Sequence, residues 1–304
     1  PPADPHLPAL APAAYGNALG VLLSRLGIAA DGHPVLVAYR PGRRAVLNVA
    51  ADGAAVWVKV VRPTRVARIA QVHGMLGAAG IPVPPVRGWS PEGLLVLDAA
   101  AGTPALDAQV APERLLDEVD LLRERLAATR LQGAARTSVL ARTPWYAEHL
   151  AAAFPSLAGD LEEVAAIVDG AGAAPATAGI HGDLHLGQLF VDPHGAVSGV
   201  IDVDTAGLGD PADDSAAFLG HAVASAALTA RVGDPVRVWR LADLAWSRWG
   251  QDAGVRPRTA VHLLGHAVAA GHAGDTPRAE RLVRLAATLA RGHKGPLMNA
   301  FETA

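Results

Sequence analysis

The chain has 304 residues, 51% of them hydrophobic, and a formal charge of −3, which is enough apolar material for a buried core across two domains of ordinary size. The near-neutral balance, without a long basic run, lacks the electrostatic footprint of a nucleic-acid binder, so no nucleic-acid partner is expected. The absence of cysteine removes disulfides, thiolate catalysis and cysteine-ligated zinc, and no segment holds 18 uninterrupted apolar residues. With Pro1-Pro2-Ala3-Asp4 offering no basic stretch ahead of an apolar run, the expectation is a cytoplasmic protein with no membrane partner.

Residues 8–27 carry apolar positions at helical spacing, and Asp31-Gly32 then punctuates before β-branched runs at Val35 to Tyr39 and Ala45 to Val49. Pro41-Gly42 turns between those runs, and Asp52-Gly53 turns into a third run, Ala55 to Val61. The pattern predicts an antiparallel meander. A helix over 64–79 stopped by Gly80 and Pro82, then a short strand over Leu94 to Leu97, completes a small α+β lobe.

From about residue 108 the spacing becomes helical, with Leu115, Val119, Leu122 and Leu126 on one face. Three short extended pieces interrupt it, at Ala178 to His181, Leu189 to Asp192 and Val197 to Ile201, with Pro193-His194-Gly195 turning between the last two. Helices resume over 212–226, 235–250, 257–271 and 277–291, and the Ala/Gly stretch 170–177 reads as a surface loop. The fold class is α+β, with a small antiparallel-sheet lobe over 1–103 and a larger, mainly helical lobe over 104–304.

Polar residues concentrate between strands, in His181-Gly182-Asp183-Leu184-His185-Leu186-Gly187-Gln188 and again in Ile201-Asp202-Val203-Asp204. Phosphoryl transfer asks for an oriented nucleophile, a divalent metal on the phosphates and cations that neutralise developing charge. Asp183, in a loop after a strand, is a candidate to accept a hydroxyl proton, while Asp202 and the amide oxygen of Gln188 are oxygen donors suited to Mg²⁺. Only two of the 26 basic residues are lysines, Lys59 and Lys294. A lysine kept inside an apolar strand of an arginine-rich chain is a candidate for chemistry, and Lys59 is the candidate ligand of the α/β-phosphates.

The run from His181 to Gln188 resembles the H-G-D-x-x-x-x-N motif of the aminoglycoside phosphotransferase and choline kinase families. Ile201-Asp202 stands where those families carry a metal-binding I-D pair, Gly209-Asp210-Pro211-Ala212-Asp213-Asp214 resembles their G-D-P-x-x-D segment, Val58-Lys59-Val60 resembles their phosphate-lysine strand, and Ile81-Pro82-Val83-Pro84 resembles the turn after their first-lobe helix. The resemblance spans nearly the whole chain and implies a bilobal, protein-kinase-like fold with ATP or GTP in the cleft. It implies Asp183 as base, Gln188 and Asp202 as Mg²⁺ ligands, Lys59 on the phosphates, and a hinge at Leu95 to Ala100, in which Val96, Leu97, Asp98 and Ala99 meet the nucleotide base. His181 and Asp214 would support the catalytic loop, and Tyr39 to Arg44 would form the turn over the phosphates.

Two departures bear on function. Gln188 replaces the usual asparagine; maltokinases and related aminosugar kinases also carry H-G-D-x-H-L-G-Q, which turns the expected hydroxyl acceptor towards a sugar or aminosugar. The first-lobe helix offers Gln71 near the place where an acidic partner for Lys59 is expected, so the lysine is either less firmly held or paired with another acid. Asp213 reads as a helix cap, Asp204 as either a site residue or a solvated turn residue, Arg43 and Arg44 as turn-exposed cations, His185 as scaffolding, and Trp246 and Trp249 as core. Two other functions compete: a metal-dependent hydrolase using His181, Asp183 and His185 as ligands, and a pseudokinase-type nucleotide-binding module.

Overall fold

The structure, a computed structural model, describes residues 3–171, 176–229 and 235–304. The chain divides into two compact units, Pro1–Gly102 with Ser198–Asp204, and Thr103–Val197 with Thr205–Ala304.

In the first unit, strands β1 (Val35–Arg40), β2 (Arg44–Ala51), β3 (Ala54–Val61), β4 (Val86–Ser90) and β5 (Leu94–Asp98) form one antiparallel sheet in the order β1-β2-β3-β5-β4. The two-residue alternation of β3 decides what each face does. Val56, Val58 and Val60 face Leu7, Leu10, Leu19 and Leu23, which come from α1 (Leu10–Ala13), α2 (Gly16–Ser24) and the segment before them. On the other face Trp57 and Val61 pack with Leu95, Leu97 and the Val66 and Ile69 side chains of α3 (Pro63–Ala78). Lys59 belongs to this second row, on a strand flanked on both sides. It is not the edge-strand lysine with its head in water that a solvated cation would be.

The second unit is mainly helical: α4 (Pro112–Ala128), α5 (Thr143–Ala153), α6 (Ala158–Ala171), α7 (Pro211–Thr229), α8 (Pro235–Trp249), α9 (Val255–His272), α10 (Thr276–Arg291) and α11 (Leu297–Glu302). Short strands β6 (Thr103–Pro104) and β8 (Leu189–Val191) pair with each other, as do β7 (Ala178–Ile180) and β10 (Gly207–Gly209). β9 (Val197–Val200) carries the chain back into the first unit. Trp246 and Trp249 are buried, and their indole N–H groups donate to the His293 carbonyl and to Asp120, so both are core. No helix among the described residues is long and apolar enough to cross a membrane.

The α+β class is as the sequence leads one to expect, with local differences. The expected single helix over 8–27 is two, because Tyr15 is extended (φ −113°, ψ 123°) and breaks it. β4 and β10 escape sequence reading: Val-Arg-Gly-Trp-Ser and Gly-Leu-Gly lack β-branched alternation and are held by their partners β5 and β7. The expected loop over 170–177 begins inside α6, and residues 172–175 lie outside the described residues.

Gly93, which closes the β4–β5 hairpin, has φ +97°, and a Cβ there would lie 2.1 Å from the Val61 carbonyl oxygen. Gly53, at the β2–β3 turn, has φ +75° and nothing within 4 Å of such an atom. Gly93→Ala is expected to cost about 3 kcal/mol and Gly53→Ala about 1 kcal/mol, the first adding a backbone clash to left-handed strain. Urea denaturation of the two variants checks this, and equal losses would contradict it.

Candidate active site

The first unit gathers one buried cation and its partners. Lys59, 4% exposed, donates from Nζ to Asp202 at 2.8 Å and to Asp204 at 2.7 Å. Burial pulls the ammonium down, but the Asp204 and Asp202 carboxylates outweigh it and hold the lysine above its ordinary value. Both acids follow β9: Asp202 takes a left-handed turn (φ +59°) and Asp204 sits in a single 3₁₀ turn, Val203–Thr205. Left-handed backbone is uncommon for a residue with a side chain, and aspartate is among the residues that tolerate it.

Asp204 is therefore neither solvated nor incidental. It supplies the acid that the sequence does not show on α3, where His73 is instead buried and held to the Pro84 carbonyl through Nδ1 at 3.0 Å, with burial pushing its imidazole down. Arg44, expected as a turn-exposed cation, reaches the second oxygen of Asp202 at 3.2 Å. The β1–β2 turn is tied at Gly42, whose N–H donates to Asp4 and whose carbonyl accepts from Arg62. Val96 and Leu97 lie within the ladder between β3 and β4, Asp98 ends β5 in an ion pair with Arg87, and Ala99 is exposed just beyond.

The second unit holds the loop with Asp183. Asp214, in the first turn of α7, accepts the N–H groups of His181 and Gly182, both at 2.8 Å, and the Thr205 hydroxyl donates to the His181 carbonyl. Burial pushes the Asp214 carboxyl up, opposed by His181 and those two backbone donors. Gly182 has φ +80°, and a Cβ there would meet the Thr205 carbonyl at 2.7 Å, so only glycine fits the bend that delivers Asp183. Asp183 is 30% exposed and paired with Arg136 at 3.1 Å. Nothing in the sequence around Arg136 distinguishes it from the chain's other arginines.

Gln188 is buried, and its Oε1 accepts the His185 N–H at 3.2 Å while His185 Nδ1 accepts the Gly187 N–H. The extra methylene of glutamine is what lets the amide reach back to its own turn. One lone pair remains on that oxygen, so the bond leaves an oxygen donor for a hard cation. An amide oxygen is a donor type that fits Mg²⁺, and in the first unit the Asp202 carboxylate, bound by Lys59 and Arg44, is a donor of the same type. Asp213, expected as a cap, is instead ion-paired with the buried Arg258 at 2.9 Å and bound by Ser138, while Asp210 caps α7 through the Ala212 N–H.

Beside the loop stand four half-buried imidazoles: His185, His221 on α7, and His262 and His266 on α9. The His185 and His221 rings stack at 4.4 Å, and His266 meets His221 edge-on at 4.6 Å. Burial, then neighbouring imidazoles and Arg136, pushes His221 down to about 2; the same causes with Arg142 push His262 down to about 3. Burial and His185 push His266 down to about 4, with Asp183 opposing and Arg278 adding. Among the described residues no three His, Asp or Glu side chains are arranged to hold a metal ion, so the ligand set of the hydrolase reading is not assembled.

A model of the phosphotransferase enzyme family matches residues 36–260. Among solved structures, a thermostable mutant of aminoglycoside phosphotransferase APH(4)-Ia in its apo form is 15% identical, with a TM-score of 0.63 over 90% of this chain and 99% of that one. A further variant of that mutant, in a ternary complex with ADP and hygromycin B, aligns with a TM-score of 0.62 at 15% identity over 90% and 98% of the two chains. Macrolide 2'-phosphotransferase MphH from Brachybacterium faecium is 20% identical, with a TM-score of 0.53 over 92% and 98%. No curated protein matches the chain.

The depressed imidazoles set a pH dependence. Well above pH 6.5 they are neutral in folded and unfolded chains alike; as pH falls through 6.5 the unfolded chain takes up protons that the folded one refuses, so stability falls from about pH 7 towards 4. By pH 5.5 His221, His262 and His266 together are expected to remove on the order of 3–4 kcal/mol. Urea titrations between pH 7.5 and 5.5 should show a shallower loss in the His221→Gln/His262→Gln double variant, and identical slopes would contradict the assignment.

Proposed function

Because the chain belongs to the phosphotransferase enzyme family, we propose that it moves the γ-phosphate of ATP or GTP onto a hydroxyl of a sugar, aminosugar or aminoglycoside, acting in the cytoplasm. The observation that carries this reading is the Lys59 ammonium, buried on a central strand and held by Asp202 and Asp204. A buried ion pair is weak as a device for stability, since well-packed apolar residues serve as well or better. Here it presents a fixed cation, which phosphate recognition needs. The structural neighbour that holds ADP and hygromycin B supports the pairing of nucleotide with a hydroxyl acceptor.

In this reading the Asp183 carboxylate takes the proton of the acceptor hydroxyl as its oxygen bonds to the γ-phosphorus. The bond between that phosphorus and the bridging oxygen breaks, and the nucleoside diphosphate leaves with the electron pair. Arg136 orients the carboxylate, and the clamp of Asp214 on the His181 and Gly182 amides fixes the loop that carries it. Lys59 holds the α/β-phosphates, and the end of β5, from Val96 and Leu97 to Asp98 and Ala99, meets the nucleotide base. Gln188 and Asp202 would hold Mg²⁺, which neutralises phosphate charge when bound.

A coupled assay of ADP or GDP release with Mg²⁺, across glucose, glucosamine, maltose, kanamycin and choline, tests the reading: stimulation by a hydroxyl acceptor is expected. Asp183→Ala should lower kcat by about 10²–10⁴ with nucleotide affinity retained; normal turnover would remove Asp183 from its role. Asp204→Asn removes one of the two charges on Lys59 and should weaken Mg-nucleotide binding by about tenfold. Unchanged affinity in that variant would show that Asp204 does not position the lysine.

A further inference from the structure

The imidazole cluster beside Asp183 is a built feature. His262 and His266 stand four residues apart on one face of α9 and meet His221 of α7, which in turn stacks on His185. The two helices come together there because residue 220 is glycine: a Cβ at Gly220 would lie 2.4 Å from the His262 side chain. All four histidines are half-buried rather than sealed, and Asp183, itself 30% exposed, acts on His266 directly and is paired with Arg136, which acts on His221 and His262.

We propose that this imidazole face binds the acceptor and selects an uncharged, polyhydroxylated molecule over a polycationic one. The inference rests on the phosphotransferase reading and narrows its acceptor. An acceptor with several ammonium groups needs carboxylates to replace the water it gives up. Among the described residues the carboxylate that weighs on His266 is Asp183, already paired with Arg136, while Arg136, Arg142 and Arg278 bring positive charge to the α7 and α9 rings. Nearby acids are engaged elsewhere, Asp275 with Arg278 and Asp210 and Asp213 with Arg258. A hydroxyl makes a different demand: it donates once and accepts, and a neutral imidazole offers one donor and one acceptor. His221, His262 and His266 are neutral at pH 7 because burial pushes their values far below it.

Pairs of probes that differ only in ammonium charge test this: glucose with glucosamine, and per-N-acetylated kanamycin with kanamycin. Calorimetric affinity is measured with and without Mg-ATP, and kcat/KM by product release at saturating nucleotide. In each pair the uncharged member is expected to bind and react at least about tenfold better, the equivalent of about 1.4 kcal/mol. His266→Glu, and separately the exposed Arg142→Glu, should shift each ratio towards the amine by about tenfold. Preference for the ammonium member, tighter binding of glucuronate or glucose 6-phosphate than of glucose, or silence of every uncharged probe while Mg-ATP binds would each overturn the inference and leave the phosphotransferase reading standing. Absence of Mg-ATP binding would instead remove the phosphotransferase reading, and the affinities measured without nucleotide would still rank the probes by charge and decide this one.

Discussion

A buried positive charge organises the first unit. Placing the Lys59 ammonium on the α3-facing side of a central strand, between Trp57 and Val61, strips it of water, a cost that only close opposite charge offsets. The offset comes from two carboxylates two residues apart, and an ordinary strand would not deliver both to one nitrogen. The left-handed backbone of Asp202 and the 3₁₀ turn that follows it bring both oxygens within 2.8 Å. The segment Ser198–Asp204, remote in sequence, is thereby bound into the unit built by the first hundred residues, and an uncommon backbone conformation is kept because the lysine requires it.

The second unit solves a related problem with a buried acid. Asp214 is all but inaccessible, and burial opposes its charge, yet it receives two amide donors from consecutive residues of the loop. These bonds and the Thr205 hydroxyl fix His181 and Gly182, so the next side chain, Asp183, projects from a rigid support while staying partly solvated. The general base we propose at Asp183 needs both properties: a fixed direction towards the reacting proton, and enough exposure to meet a substrate.

Four of the five strands of the sheet, the order of the main helices and the two polar segments were legible because they rest on local signals: alternation in β2 and β3, helical spacing in α3, α4 and α8–α10, and glycine or proline at the turns. Elements held by their partners were not. β10 is Gly-Leu-Gly and exists because β7 lies beside it. The same division runs through the site. Lys59, Asp183 and Asp202 stood out by type and spacing, whereas Asp204 read equally well as a turn residue, because its meaning lies in a 2.7 Å contact with a strand 145 positions earlier. Arg136 carries no spacing signal, and although His262 and His266 stand four residues apart on α9, nothing in the sequence joins them to His221, which helix packing at Gly220 brings alongside.

The origin of the partners of Lys59 also bears on what holds the lysine. An acid on α3 would tie the lysine to the position of that helix. Here α3 contributes His73, whose imidazole burial holds towards the neutral form and whose Nδ1 is bound to the Pro84 carbonyl. Both charged partners come instead from the residues after β9, whose Val200 N–H is hydrogen-bonded to the Pro82 carbonyl of the turn after α3. The lysine is thus set by a short backbone segment with its own turn geometry.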